Sequence, residues 1–539
     1  MIEKWPVNHT RQFFTALLVC LMFILPGFLK AQSKVTVPQK KDTTEIEIRQ
    51  ADYLEIIQSK KTSYNKLINN VILVQKELTL YCDSALLFKN ENIARVYGHV
   101  HFEQGDSINA FGDSASYDGN TKIANLYQNV SMSDNTMTLT TEKLSYDMTA
   151  KIATYHNGGE LDNGDTRLTS KSGYYLTNSN DAFFSDSVVL TNPDYSLTAD
   201  TLQYNTSIER AYFHGPTYIY NEKSTVYCES GYYDTKSGIA VFNQNVKLEN
   251  PPQELFADSI YYNRETGIGR AFKNIIFRDT VQNALQYSNV AEYNENTKTI
   301  VSTQGSMAGF IIEQDTLFIA GDTIRSVTDS LDKRITLVFH HVKIYKTDMQ
   351  GRCDSLTYSD TDSTIRLFNS PILWSDSTQF TADTIVLYIK NQELDQIHLY
   401  SKGFIVNEDD SLIYNQVKGR NIYGYFIDEE LKKIEVKGNG ESIYYGTDDR
   451  GAYIGVNKML CSDIDIYLEK RKFQKISFKT YPDSDFQPMK DISPLNFLLD
   501  DFKWEYDKRP QSKYDLMHQE IQNEDIENPI EVKSSQKDG

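Results

Sequence analysis

The sequence predicts an all-β protein: an elongated, repetitive antiparallel β-jellyroll or solenoid of about a dozen or more repeats of ~29 residues. Three observations carry that prediction. A marker position recurs with one constant step, since Asp113, Glu142, Lys171, Asp200, Glu229 and Asp258 are evenly spaced along the chain. These markers sit in AFGDSASYD (110–118), LTTEKLSYD (139–147), LTSKSGYYL (168–176), LTADTLQYN (197–205), VYCESGYYD (226–234) and LFADSIYYN (255–263). Between them lie runs of strict apolar/polar alternation: IARVYGHVHF (93–102), KIANLYQNVSM (122–132), DAFFSDSVVL (181–190), ERAYFHGPTYI (209–219) and IAVFNQNVKL (239–248). Alternation of this length is the pattern of half-buried strands. Third, no segment between about 60 and 480 carries helical periodicity of comparable strength.

The elements follow in chain order. Arg11 precedes the apolar run FFTALLVCLMFILPGFL (13–29), and Ala31 precedes a polar stretch. Residues 1–31 therefore read as a secretory signal cleaved after Ala31, with a retained membrane anchor as the competing reading. Residues 32–45 read as a polar linker. Residues 46–480 are the repeat array, weaker from about 400, where Arg420 and Ser462 mark longer units. Asp52, Asp83, Asn289, Asp322, Asp354 and Asp383 continue the marker phase at the same or a slightly longer step. Each unit buries its apolar face against its neighbours, so the array grows without a single growing core. Turns such as SYDGNTK and QYNTSIE supply residues suited to tight turns. The tail, 481–539, contains SPLNFLLDDFKWEY (493–506), whose Leu495, Leu498, Leu499, Phe502 and Trp504 share one side at helical spacing. That spacing predicts a short amphipathic helix, capping the last repeat or docking a partner, followed by a disordered end.

Composition narrows the function. The formal net charge is −19, which argues against nucleic acid as a partner. Nine histidines are scattered, His340-His341 being the one adjacent pair, and the chain has no GxSxG, HExxH or phosphate-loop motif. The expectation is a non-enzyme without a cofactor or metal. The carboxylates at the markers are expected to make turn or strand-edge hydrogen bonds, because Lys171 and Ser462 break any metal ladder. Cys82, Cys228, Cys353 and Cys461 stand directly before a marker, several repeats apart, too far for disulfides. They read as four unpaired thiols used as small residues.

The cadence ADTLQYN…ERAYFHGPTYI, repeated in DSALLFKNENIARVYGHVHF, resembles the OstA-like family of lipopolysaccharide-transport proteins, which includes LptA and the N-terminal domain of LptD. The resemblance covers roughly 46–400 well and 400–480 weakly. It implies a V-shaped antiparallel jellyroll that stacks end to end, at strand edges, with other lipopolysaccharide-transport proteins or itself. It also implies a periplasmic location, associated with the outer or inner membrane, and lipopolysaccharide as the ligand, with its acyl chains inside the groove. The chain departs from the family in its length and its tail. Period alone picks the groove-lining residues: Val96, Phe102, Leu126, Met132, Phe184, Leu190, Phe213, Ile219, Phe242 and Leu248. Two readings of these ten stay open, lipid contact or ordinary core. For the whole chain, an exported scaffold or adhesin with a closed core is the rival to a lipopolysaccharide carrier.

Overall fold

The computed structural model describes residues 45–516, apart from 60–62, 106–107, 135–136, 282–283, 313–314, 329–332, 392, 429 and 470–471. The expected signal, nearly all of the linker and the expected disordered end beyond 516 lie outside the described residues. No described helix is long and apolar enough to cross a membrane.

The described strands form one 34-stranded sheet. Successive strands pair antiparallel, as where Ile93–Gln104 pairs with Ile108–Asp118 and that strand with Ile123–Ser133. The turns are built as their residues predict. The Asp118 carboxylate accepts the amides of Asn120 and Thr121, Asp147 those of Thr149 and Ala150, and Asn205 those of Ser207 and Ile208.

The markers are placed differently from expectation. Asp113, Glu142, Asp200, Glu229 and Asp258 lie inside strands, at a corner where the sheet folds over, while Lys171 and Asp383 stand between two short strands at the same corner. On the facing strand the backbone takes two consecutive residues with positive φ: Gly98/His99, Gln128/Asn129, Gln244/Asn245, Lys273/Asn274 and His340/His341 among them. Pairing skips this step, as between Tyr97 and Val100. Two residues set against one marker on the partner strand, as Gly98 and His99 against Asp113, bend the strand sharply in the manner of a bulge. The marker carboxylate then ties the second of them. Asn129 donates to Asp113 at 2.8 Å, Asn245 to Glu229 at 2.9 Å and Asn274 to Asp258 at 3.2 Å. His99 and His341 meet Asp83 and Asp322, each at 2.8 Å. The His340-His341 pair is thus a corner pair rather than two ordinary polar strand residues. At Gly98, φ is +76° and an added Cβ would lie 2.3 Å from the Asp83 carboxylate, so this corner position requires glycine.

That the sheet is folded double follows from one hydrogen bond. Gln104 ends Ile93–Gln104 at one margin of the sheet, and Tyr146 lies near the other margin, on Thr138–Asp147. In a flat sheet they would be on the order of 30 Å apart. The Tyr146 hydroxyl nevertheless donates to Gln104 at 2.7 Å. The corner separates two walls, and the margins meet at a mouth.

The array runs beyond residue 480, because Asp483–Pro488 still pairs with Tyr453–Glu469. The units after 400 are longer, with strands Glu393–Asp410 and Glu430–Thr447 of 18 residues each. Their weak sequence phase reflects taller walls. Ser462 keeps the corner, its amide donating to the Thr480 carbonyl.

The described tail is not a helix. It contains the short 3-10 turns Met489–Asp491, Pro494–Asn496, Tyr506–Lys508 and Lys513–Leu516, with irregular chain between them. Its course is set by the outer face of the last repeats, where a cross-strand row reads Gln350, Trp374, Gln379, Val406, Gln416, Ile443. Gln416 donates to the Phe497 carbonyl at 3.1 Å and accepts the Leu499 amide at 2.9 Å. Gln379 does the same with Lys503 and Glu505, at 2.7 and 2.9 Å. Arg509 donates to Gln350. Phe497, Lys503 and Arg509 are evenly spaced stations of a strap laid along this row. Leu499 packs with Phe404, Val406, Tyr445 and Val456, while Phe502 and Trp504 lie over Tyr414.

Candidate functional site

The inward parity of both walls forms the candidate site. The ten residues picked by period fall on it together. Val96, Phe102, Leu126, Met132, Phe184, Leu190, Phe213 and Phe242 belong to one buried cluster and are each at most 8% exposed. Ile219 and Leu248 are half-buried against the same cluster. The Phe213 and Phe242 rings stack 6.3 Å apart, one unit to the next. Burying such side chains contributes about 1.5–3 kcal/mol each, which makes this interior the main source of cohesion.

The mouth carries residues that sequence reasoning missed. Tyr117, Tyr146, Tyr175 and Tyr204 recur at the marker step near the margin of one wall, and each reaches across to the margin of the other. Tyr117 donates to Gln75 and Tyr175 to Asp134. Tyr146 donates to Gln104 at 2.7 Å, and Tyr204 accepts from Asn163 at 3.3 Å. Burial pushes the Tyr117, Tyr146 and Tyr204 hydroxyls up from their ordinary acidity, so they stay neutral. The signal was present in the repeated SYD, SYD, YYL and QYN strings. It was hidden because a tyrosine at an inward position reads simply as core.

After Tyr204 the latching changes. Tyr233 meets the Tyr195 ring edge-on at 5.4 Å, and Arg264 pairs with Asp194 at 3.2 Å. The Tyr262 hydroxyl turns to Glu295 at 2.9 Å, a residue on its own margin, and Tyr293 is 41% exposed. Farther on, Phe310 packs against Tyr358 at 4.7 Å and the mouth closes again. The buried interior divides at the same place, one cluster ending at Ile275 and the next beginning at Ala308.

The four described cysteines are free. Burial raises the Cys82, Cys228 and Cys353 thiols to about 12, which keeps them protonated. Among the described residues no three His, Cys, Asp or Glu side chains converge as a metal site requires. What the arrangement offers is a long apolar interior, closed at its mouth by single side-chain bonds.

Comparison with known proteins agrees with the resemblance read from the sequence. Residues 43–200 and 196–258 match the family described as OstA-like protein. No curated protein matches the chain. Among solved structures, LptH of Pseudomonas aeruginosa, described as the LptA homologous periplasmic component of the conserved lipopolysaccharide transport device, is 17% identical. The match covers 18% of this chain and 76% of LptH, with a TM-score of 0.17.

Proposed function

We propose, from an array that is OstA-like over residues 43–258, that the chain is a periplasmic protein that binds lipopolysaccharide and carries or bridges it toward the outer membrane. The acyl chains travel between the two walls, shielded from water. The observation that carries this reading is the asymmetry of the walls. They are continuous through the corner but meet at the mouth through side chains alone. Parting them over one unit releases a latch of about 0.5–1.5 kcal/mol. An inserted acyl chain replaces the lost apolar contacts at about 0.8 kcal/mol per methylene. Because successive units present similar surroundings, a chain slides without a deep trap. The energy for directed movement comes from elsewhere.

Both array ends suit strand addition by other transport proteins or a second copy. At one end Glu47–Gln50 and Tyr53–Gln58 pair with Ser63–Gln75, and every residue of Tyr53–Gln58 is exposed. At the other, Lys472–Lys479 and Asp483–Pro488 pair with Tyr453–Glu469.

Crosslinking in living cells tests the reading, with a photoreactive residue at Phe184, Phe213 or Phe242 and outward controls at Tyr212 and Lys247. Lipopolysaccharide adducts confined to the inward set are expected. The rival, an exported scaffold with a closed core, draws on the near-complete burial of eight of the ten residues. Adducts at neither set, in a folded and exported protein, select that rival.

A further inference from the structure

Between the two buried clusters the interior changes chemistry. On the strand Ala284–Asn294, inward positions are held by Ala284, Gln286, Ser288 and Ala291, and on Thr299–Ile312 by Ser302, Ser306 and Ala308. Gln286 stands on one wall and Ser302 on the other, and the Gln286 amide donates to the Ser302 hydroxyl at 2.6 Å, across the groove. Tyr287 opposes Met307 in the ladder, which sets Ser288 and Ser306 opposite each other on the next rung toward the corner. These two are 2% and 1% exposed, and neither hydroxyl has a hydrogen-bond partner among the described residues. A buried hydroxyl without a partner costs about 1–3 kcal/mol, so two side by side need a reason.

The adjoining mouth lacks the tyrosine latch, since the Tyr262 hydroxyl turns to its own margin. Val226, Leu248, Leu255, Tyr262 and Ala291 are inward residues that are only half-buried, whereas their counterparts Leu139, Leu168, Leu190 and Leu197 are closed off. Half-open apolar walls therefore lead down to paired hydroxyls that lack partners.

We propose that this stretch, from Leu248 to Ser306, is a lateral port. An acylated amphiphile enters or leaves the groove there, and the ester or hydroxyl oxygens of its acyl chains bond with Ser288 and Ser306. The port rests on the carrier reading above and adds where the ligand crosses the mouth and what holds it there. An alkyl chain alone leaves the two hydroxyls unpaired, so they select chains bearing oxygen. Elsewhere along the latched mouth, entry breaks a tyrosine bond at each unit. At the port no tyrosine bond stands in the way, and the single Gln286–Ser302 bond is the one that parts.

The test uses the full chain and purified lipopolysaccharide carrying a diazirine on one acyl chain, with adducts mapped by mass spectrometry after brief exposure. The expected result is labelling concentrated on the peptides holding Leu248–Tyr262 and Ser288–Ser306, with little on those holding Leu126–Leu139. The double variant Ser288→Ala/Ser306→Ala is expected to bind roughly threefold to tenfold more weakly. Its thermal midpoint should hold or rise, because two unsatisfied hydroxyls are gone. A merely structural pair of serines would leave binding unchanged, and that result overturns the port. Even labelling along the whole interior also overturns it while leaving the carrier reading standing. No labelling of any interior peptide, with the chain folded, brings down both.

Discussion

The first part of the array, up to Tyr204, and the last part, from Ala308, are held by opposite means. In the first the mouth is laced by one tyrosine per repeat, each bonded to a polar partner on the facing margin. In the last the mouth closes on apolar contact such as Phe310 with Tyr358, and the added support lies outside, where the strap crosses the glutamine row. One part is fastened where a ligand would have to pass, by bonds that break singly. The other is braced along its back. The difference teaches that a single repeat can carry both a compliant segment and a stiff one without changing its strand pattern.

The largest effect should come from removing the strap. Ending the chain after Pro488 uncovers Trp374, Phe404, Tyr414, Tyr445 and Val456. At about 1.5–3 kcal/mol for each side chain returned to water, the loss is comparable with the whole stability of an ordinary domain. Limited proteolysis should then cut the C-terminal repeats while sparing those before Tyr204. Equal resistance of both parts would show that the strap does not brace the walls.

Leu126→Ala, in the tyrosine-laced part, is expected to cost about 2–5 kcal/mol, read as a lower denaturant midpoint, because the site is closed on all sides. A much smaller loss would mean that the walls collapse easily and the interior is loose. Gln416→Ala leaves the Phe497 carbonyl and the Leu499 amide without their partner, at a cost of about 1–3 kcal/mol. Hydrogen exchange at the Leu499 amide should rise while exchange near Tyr146 stays constant.

Tyr146→Phe removes one latch and should cost only about 0.5–1.5 kcal/mol. If the latches act singly, lipopolysaccharide binding should strengthen slightly in that variant as the mouth loosens; weaker binding would argue that the hydroxyl itself touches ligand. The smallest effect concerns His99. Its hydrogen bond to Asp83 and that carboxylate's charge raise its pKa above the ordinary 6.5. The pair's contribution is thus fully present below the unfolded value and fades as pH rises through the folded one. A nuclear magnetic resonance titration of His99 with its midpoint at or below the ordinary value would remove this corner bond from the account.

Most of the strand order was legible because alternation and the marker step are backbone requirements that every unit repeats. The corner was not, for a geometric reason. Gly98 and His99 together face the single residue Asp113, and because Val96 and Val100 are an even step apart both point inward on either side of a bend that periodicity passes straight through. The cue was the identity of the corner pairs, rich in Gly, Asn and His, which tolerate positive φ. All ten chosen positions lie in or against the buried cluster. The closure of the inward face and its polar break were not legible, because Ser288 and Ser306 keep the alternation while changing the chemistry. The tail misled because Leu499, Phe502 and Trp504 are apolar to cover the outer face of the repeats, and a few apolar residues at that spacing also fit a helical stripe.

The strap also gives the molecule a sense of time. A ribosome makes the strands from Leu317 to Glu469 before it makes Phe497, Lys503 and Arg509, so the outer row of Trp374, Val406 and Ile443 waits bare until the strap arrives. A product cut short just before the strap keeps an intact repeat pattern yet shows that sticky row to every chaperone and protease it meets. The strap thereby covers from outside what the repeats alone leave bare, without any part of the groove being involved.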